Sequence, residues 1–253
     1  MLEGYKLIHQ GNIDVISADG VVSHLSTETV SDAVEYTHEV FDKFVDFGVD
    51  VFAILGMRNL SAFIGEVFAS SLALKAEGLF KANPHQDGYP DLLLMDDAGI
   101  QYWDKFSTRL RDKAPFSPFP NGGIEIKATC GSLPTPAQCR RLGVEKPDIG
   151  DQRISMLRGY DWKAHHRETN NLIGIIWDFL NGVPRIIAIF YSTSLTTADW
   201  GNIVQPREGG GRTTSVSIMN RVGVKKMYTG TILVLDDARY LRFLNRYNSG
   251  TKL

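Results

Sequence analysis

Two short stretches of this chain decide its fold: Tyr89-Pro90-Asp91-Leu92-Leu93-Leu94 and Gly123-Ile124-Glu125-Ile126-Lys127. Each is an apolar run of strand length with charged chemistry set into it. Side chains alternate across a strand, so Glu125 and Lys127 share one face while the two isoleucines share the other and can pack into a core. Burying a charged pair is costly unless it has a partner, and a divalent cation beside a phosphate would supply one.

The residue types in these stretches are typical of a metal-dependent phosphate site. Asp91 and Glu125 supply carboxylate oxygens, the hard ligands that Mg²⁺ takes while it keeps several waters and a substrate phosphate in its shell. Such an ion acidifies a water and offsets the charge that develops on a phosphate under attack. The Lys127 ammonium could hold that water or neutralise the same charge. We therefore predict a Mg²⁺ site if the two strands are neighbours in one sheet.

Length and composition indicate a folded domain of ordinary type. The chain has 253 residues, of which 43% are hydrophobic and 22% charged, and this predicts one domain over residues 1–253. Many nucleic-acid binders are more basic than this net charge of −2, but basic residues need line only one cleft. The apolar runs are of strand length, the N-terminus lacks a secretory signal, and two cysteines make no disulfide framework. We expect a cytoplasmic protein with no membrane partner.

Hydrophobic periodicity predicts two helices ahead of the first acidic stretch. Residues 27–47 follow a helical period, and Thr27 or Ser31 could cap the start. A second helix is expected from about Leu60 to Glu77, with Gly78 as its stop. Both segments repeat apolar side chains every three or four residues, which favours packing against a core.

Strand-forming segments follow these helices. The expected strands are Asp91–Met95, Gly99–Trp103, Gly123–Thr129, Leu172–Phe179, Arg185–Tyr191 and Thr229–Leu235. Residues 96–99 have good hairpin chemistry between the first two strands, and Asn181-Gly182 joins the fourth to the fifth. We expect a short helix and loop over 105–120, irregular structure over 131–160, a Gly/Arg loop over 205–215 and a final helix over 238–247.

The order of these elements predicts an α/β fold with a mixed central β-sheet flanked by helices and with long inserted loops. The N-terminal helices would span about 27–77. The catalytic sheet core would span about 88–192. A C-terminal loop, strand and helix would span about 200–250.

The acidic stretches also resemble a known signature. Pro90-Asp91 followed by Glu125-Ile126-Lys127 is similar to the PD-(D/E)xK motif of restriction-endonuclease-like nucleases, whose core places the Asp and the Glu-x-Lys on adjacent strands of a mixed sheet. The resemblance implies that Asp91, Glu125 and the backbone carbonyl of Ile126 bind Mg²⁺. It implies that Lys127 is the catalytic lysine.

The same resemblance extends to the second helix and to function. Many members of the family carry a glutamate there that assists metal binding, and Glu66 matches that role. The resemblance covers about Leu60 to Thr129. It implies a type II restriction endonuclease, a Mg²⁺-dependent hydrolase that cuts double-stranded DNA at a specific sequence as a homodimer. The alternatives are a repair or recombination nuclease of the same superfamily, a non-catalytic DNA-binding module, and an unrelated metabolic α/β enzyme.

Two other interpretations of the motif stay open. Asp91 could sit in a turn while Glu125 and Lys127 form a solvated pair on an edge strand. Pro147-Asp148 followed by Asp161-Trp162-Lys163 also satisfies the loose pattern, although the residues after Asp148 are poor strand formers.

Polar and basic segments outside the motif are candidates for DNA contacts. Imidazoles and amides can reach phosphates and bases, and basic side chains can bind phosphates. The candidates are His165, His166, Asn170, Arg207, Arg212, Lys225 and Lys226. For the segment with His165, His166 and Asn170, the competing interpretation is a capped loop. For the Gly/Arg segment with Arg207 and Arg212, it is a mobile surface loop. The Gly-rich segment 209–215 lacks the Gly-Lys-Ser/Thr ending of a phosphate loop, so no nucleotide triphosphate is expected.

Overall fold

A computed structural model of the chain describes residues 2–164, 167, 171–205, 215–247 and 253. The strands are β1 (Tyr5–Leu7), β2 (Asn12–Ile16), β3 (Val22–Ser26), β4 (Phe80–Ala82), β5 (Leu92–Leu94), β6 (Gly123–Thr129), β7 (Lys163–Ala164), β8 (Leu172–Leu180), β9 (Val183–Ser192), β10 (Ser217–Ile218) and β11 (Thr231–Leu235). The α-helices are α1 (Thr27–Val45), α2 (Val51–Lys75), α3 (Asp97–Phe106), α4 (Pro136–Leu142), α5 (Arg221–Thr229) and α6 (Ala238–Leu244). Short 3-10 helices lie at Ile154–Met156, Thr197–Asp199 and Asn245–Tyr247.

A seven-stranded sheet in the order β1-β11-β9-β8-β6-β5-β4 organises these elements. β6 and β8 run parallel and the other neighbours run antiparallel, so the sheet is mixed. β2 pairs with β3, and β7 with β10, in two small separate sheets. The predicted mixed α/β architecture, with a large central sheet flanked by helices, is confirmed.

β8 illustrates how the sheet is covered on both faces. Ile173, Ile175 and Trp177 pack into one core together with residues of α1 and α2. Leu172 and Ile176 pack into a second core with residues of α5 and α6. Because alternate side chains of a strand point to opposite faces, this central strand is apolar almost throughout.

The two N-terminal helices are confirmed, with different starts. The α1 cap is Ser26, whose hydroxyl accepts a hydrogen bond from the Glu28 N–H at 3.1 Å, rather than Thr27 or Ser31. α2 begins at Val51, nine residues before the predicted start, behind the cap Asp50. The early start was missed because Gly56, at φ 65°, breaks the helical pattern and bends the two parts of α2 by 113°.

The predicted hairpin at 96–99 and the strand at 99–103 are wrong. This segment is helix α3, because the Asp96 carboxylate accepts from the Gly99 N–H at 2.9 Å and so caps a helix instead of a turn. Further along, the segment expected to be irregular contains the short helix α4, and α5 occupies residues just before β11. The strands predicted around 123–129, 172–179 and 185–191 are confirmed as β6, β8 and β9.

Candidate active site

β5 and β6 bring the two acidic stretches together as antiparallel neighbours, with Leu92 opposite Ile124 and Leu93 opposite Gly123. Gly123 permits this close approach, because a Cβ there would lie 1.8 Å from the Leu92 carbonyl oxygen, and its φ of 154° also favours glycine. Asp91 directly precedes β5, so the register places it beside Glu125. The structure therefore places Asp91 next to the Glu-x-Lys segment.

Lys127 connects the two carboxylates. Its ammonium forms an ion pair with Glu125 Oε1, and its Nζ lies 3.8 Å from Asp91 Oδ2. The Asp91 side chain is held from a second direction, because the Ile126 N–H donates to its Oδ2 at 2.6 Å. These contacts place three predicted site residues around one point at the β5–β6 junction.

The backbone of Ile126 faces the same point. The Glu125 N–H donates to the Asn171 carbonyl on the β8 side of β6, so the next residue along the strand directs its N–H to the opposite side. The N–H and C=O of a strand residue point toward the same neighbour. Since the Ile126 N–H contacts Asp91, the Ile126 carbonyl is also directed to the Asp91 side, as the predicted ligand role requires.

Glu66 joins this group from helix α2. It lines a cleft of about 290 Å³ together with Asp91 and Lys127. α2 packs close to β6 here, with Gly65 next to Ile126. Partial burial, and then the Asp91 charge, raise the pKa of Glu66, while Lys127 lowers it in part. Three of the four residues that the signature predicts thus line one cleft, and the fourth, Glu125, pairs with Lys127.

Burial controls the charge state of the inner pair. The Glu125 side chain is only 6% exposed, and burial raises its pKa to about 7; Lys127 opposes this rise and Asp91 adds to it. Burial alone would lower the pKa of Lys127, but the Glu125 and Asp91 carboxylates outweigh it, so the pKa of Lys127 is raised. Lys127 is therefore a protonated, positively charged group at neutral pH.

The donor set fits a hard divalent cation in one specific respect. Glu125 Oε2 is buried and, among the described residues, has no hydrogen-bond partner. Buried polar atoms are normally paired, so this oxygen marks a position where a cation could bind. Within the part of the chain that the structure describes, no group of three or more His, Cys, Asp or Glu side chains is already assembled as a metal site.

A second lysine in the cleft was missed by sequence reasoning. Lys163 on β7 lines the same cleft as Glu66 and Asp91. It belongs to the competing Asp161-Trp162-Lys163 signature, but β7 lies outside the central sheet and pairs only with β10 in the described chain. No local pattern signals its position, because the long 131–162 connection brings it back to β6.

Two of the seven predicted DNA contacts lie among the residues that the structure describes. His165, His166, Asn170, Arg207 and Arg212 lie outside the described residues.

The remaining predicted DNA contacts lie on α5, where Lys225 is exposed. Lys226 has a structural role, because its ammonium binds the Asp199 carboxylate at 2.7 Å and the Ser194 carbonyl at 3.0 Å. Asn171, the residue after the predicted Asn170, is a buried amide whose Nδ2 donates to the Gly123 carbonyl at 3.1 Å.

None of the described helices alone is long and apolar enough to cross a bilayer. The bent pair Val51–Met57 and Asn59–Lys75 meets the length and composition criteria only when its two parts are taken together.

The PD-(D/E)xK resemblance thus rests on Asp91, Lys127 and Glu66, which line one cleft, and on Glu125, which pairs with Lys127. No protein-family model, curated protein or solved structure matches this chain.

Proposed function

We propose that this protein is a Mg²⁺-dependent endodeoxyribonuclease that hydrolyses phosphodiester bonds in double-stranded DNA. The observation that carries the proposal is the meeting of Asp91 and Glu125 around the Lys127 ammonium, with a buried Glu125 oxygen that lacks a partner among the described residues. Carboxylates with a free buried oxygen beside an ammonium suit a cation and an anionic substrate together.

The residues would divide the work as follows. Asp91, Glu125 and the Ile126 carbonyl would hold the Mg²⁺, and Glu66 would complete the acidic set at the mouth of the cleft. When bound, the ion would lower the pKa of a water and polarise a phosphate oxygen. The Ile126 N–H fixes the Asp91 carboxylate, so this ligand does not have to be ordered when the substrate arrives.

Lys127 would act as a charge stabiliser and not as a general base. Its raised pKa keeps the ammonium protonated at neutral pH, so it can donate to the attacking water or to a non-bridging phosphate oxygen. The water oxygen bonds to phosphorus as the bond to the 3′ oxygen breaks. The attacking water would lose a proton to solvent and the 3′ oxygen would take one up, so the products would be a 5′-phosphate and a 3′-hydroxyl.

The finer proposal is a type II restriction endonuclease that acts as a homodimer on a two-fold-symmetric site. A homodimer matches a palindrome because both have a two-fold axis. The motif resemblance alone supports this step.

The test incubates the purified full chain with supercoiled plasmid DNA in Mg²⁺ or in EDTA. Discrete fragments that form only with Mg²⁺ are expected. A smear or a ladder without sequence preference would instead favour a repair or recombination nuclease. DNA that stays intact under every ionic condition would overturn the nuclease proposal.

A further inference from the structure

A second cleft adjoins the candidate active site along β6. It has a volume of about 570 Å³, and Cys130, Lys146, Asp148 and Arg153 are among its lining residues. Cys130 follows Lys127 by three positions, which at strand rise is about 10 Å along the chain. The first cleft contains Lys127 and Ala128 near the end of β6, and Cys130 lies just after that end, so the two clefts are consecutive along the chain.

Arg153 is the unusual residue in this second cleft. The whole residue is only 3% exposed, and none of the ion pairs formed by described residues includes it. Its Nη2 donates to the Asp148 carbonyl at 3.1 Å, whereas its buried Nε–H has no partner in the described chain. A buried guanidinium without a carboxylate is costly, and a phosphate is the anion that its planar fork fits best.

The backbone that carries Arg153 is held firmly. The Asp178 carboxylate accepts hydrogen bonds from the N–H groups of Arg153 and Ile154, at 2.9–3.0 Å. The guanidinium also lies over the Phe179 ring, with Cζ 5.9 Å from the ring centroid. The arginine is therefore positioned before any ligand binds, which lowers the entropic cost of binding.

Basic side chains line both clefts. Lys127 and Lys163 line the first cleft, and Lys146 and Arg153 line the second. Burial raises the pKa of the Cys130 thiol; the charges of Arg153 and Lys163 oppose that rise, and the charge of Asp178 adds to it. The Asp148 carboxylate is the acidic group that lines the second cleft, and it leaves a net positive balance with the two basic residues there.

We propose that the Arg153 cleft is a second phosphate-binding subsite, which holds the DNA backbone close to the bond that is cut. Arg153 and Lys146 bind one phosphate, and Lys163 binds the backbone between the two clefts. The two clefts adjoin near the end of β6, so a phosphate held at Arg153 would lie close along the backbone to the bond that is cut. This inference rests on the proposed function, because it takes the β5–β6 cluster as the cutting site.

The test measures the affinity of a fluorescent 20-base-pair duplex in EDTA, where cutting is excluded, as a function of salt concentration. Arg153→Met and Lys146→Met are each expected to weaken binding roughly tenfold and to reduce the slope of log affinity against log salt by about one. Lys6→Met is the matched control. It removes an exposed cation on β1, at the other end of the sheet, and should leave the slope unchanged.

A duplex with one neutral methylphosphonate locates the contact. This group is placed at each position of one strand in turn. At one position it should weaken binding by the wild type and by Lys6→Met but leave binding by Arg153→Met unchanged. Lys146 is exposed, so Lys146→Met keeps the test valid if the buried Arg153 variant fails to fold. Slopes equal to that of the wild type in folded variants would overturn the subsite.

Inorganic phosphate separates a free-anion site from a DNA subsite. Stabilisation by phosphate that Arg153→Met abolishes, with the DNA slope unchanged, would overturn the proposal in favour of a small anion. The proposed function fails separately, when the wild type does not cut plasmid in Mg²⁺. In that case, a smaller slope of log affinity against log salt for Arg153→Met than for the wild type in EDTA would still support phosphate binding at Arg153.

Discussion

Glu125 on β6 and Asp178 on β8 are buried carboxylates on neighbouring strands, 4% and 1% exposed, and their surroundings differ sharply. Asp178 accepts hydrogen bonds on both oxygens from three backbone N–H groups and from the Tyr240 hydroxyl, at 2.8–3.0 Å. Glu125 contacts the Lys127 ammonium with Oε1, while its Oε2 has no partner in the described part of the chain.

This difference separates a structural carboxylate from one that is available to a ligand. A fully paired buried carboxylate organises the backbone around it, and here that backbone includes Arg153. An incompletely paired one keeps a desolvation cost that a bound cation would relieve. The desolvation cost of Glu125 arises at the junction where Asp91, Glu125 and Lys127 meet. An uncompensated cost of this kind favours a functional role for the junction.

The largest expected effect is on the rate of DNA cutting when each of the two carboxylates is neutralised in turn. Glu125→Gln should lower the rate of DNA cutting about 10³-fold, because the cation loses a ligand beside the phosphate. Asp178→Asn is the matched control and should keep the rate within about tenfold, since it acts only through the support of Arg153. Initial rates on a labelled duplex in Mg²⁺ measure both. Equal losses in the two variants would remove the distinction.

The pH dependence of cutting gives the next largest effect. Glu125 must be ionised to bind a cation, and burial raises its pKa to about 7. The ionised fraction falls about tenfold per pH unit below that value, so the rate at pH 5 should be roughly 100-fold below its plateau. Higher Mg²⁺ competes with the proton and should move the profile to lower pH. A flat profile from pH 5 to 7 would contradict this assignment.

For the stability of the fold, the order of the two effects should be reversed: the substitution of Asp178 should have the larger effect. Asp178→Asn leaves at least one buried donor without an acceptor and should lower the free energy of unfolding by about 1–3 kcal/mol. Glu125→Gln removes a charge that is costly to bury and should change it less. Urea unfolding with a constant slope checks both. A larger loss for Glu125→Gln would mean that Glu125 is also a structural residue.

The smallest effect is expected at the mouth of the cleft. Glu66 is more exposed than Glu125, so Glu66→Gln should reduce cutting only about tenfold by weakening Mg²⁺ binding. Its matched control is Glu35→Gln, an exposed glutamate on α1. Titrating Mg²⁺ in the cutting assay should show a higher requirement for Glu66→Gln alone. An unchanged requirement would exclude Glu66 from the metal site.

Sequence reasoning works best here where the pattern is local. The alternation in 123–129 predicts β6 with its bounds, because Glu125 and Lys127 must share a face. It fails at 96–99, where the same Asp-Asp-Ala-Gly residues suit either a hairpin turn or a helix cap. The choice depends on packing, since α3 contributes Trp103 and Tyr102 to a small core with β5.

Contacts between distant residues were not predictable from pattern. Asp178 is satisfied by Arg153 and Tyr240, which are 25 and 62 residues away, and no spacing rule connects them. The position of Lys163 in the cleft of Asp91 and Lys127 was not predictable for the same reason. The acidic residues were easier to find, because adjacent strands bring them together and the strands themselves are strongly apolar.

Cation binding is the most direct test of the difference between Glu125 and Asp178. Mn²⁺, which has a similar preference for oxygen ligands, can be titrated into the full chain and followed by electron paramagnetic resonance of the free ion. The wild type and Asp178→Asn should each bind Mn²⁺ at a saturable site, and Glu125→Gln should lose that site. Equal Mn²⁺ binding by Glu125→Gln and the wild type, or no saturable binding by the wild type, would contradict the account.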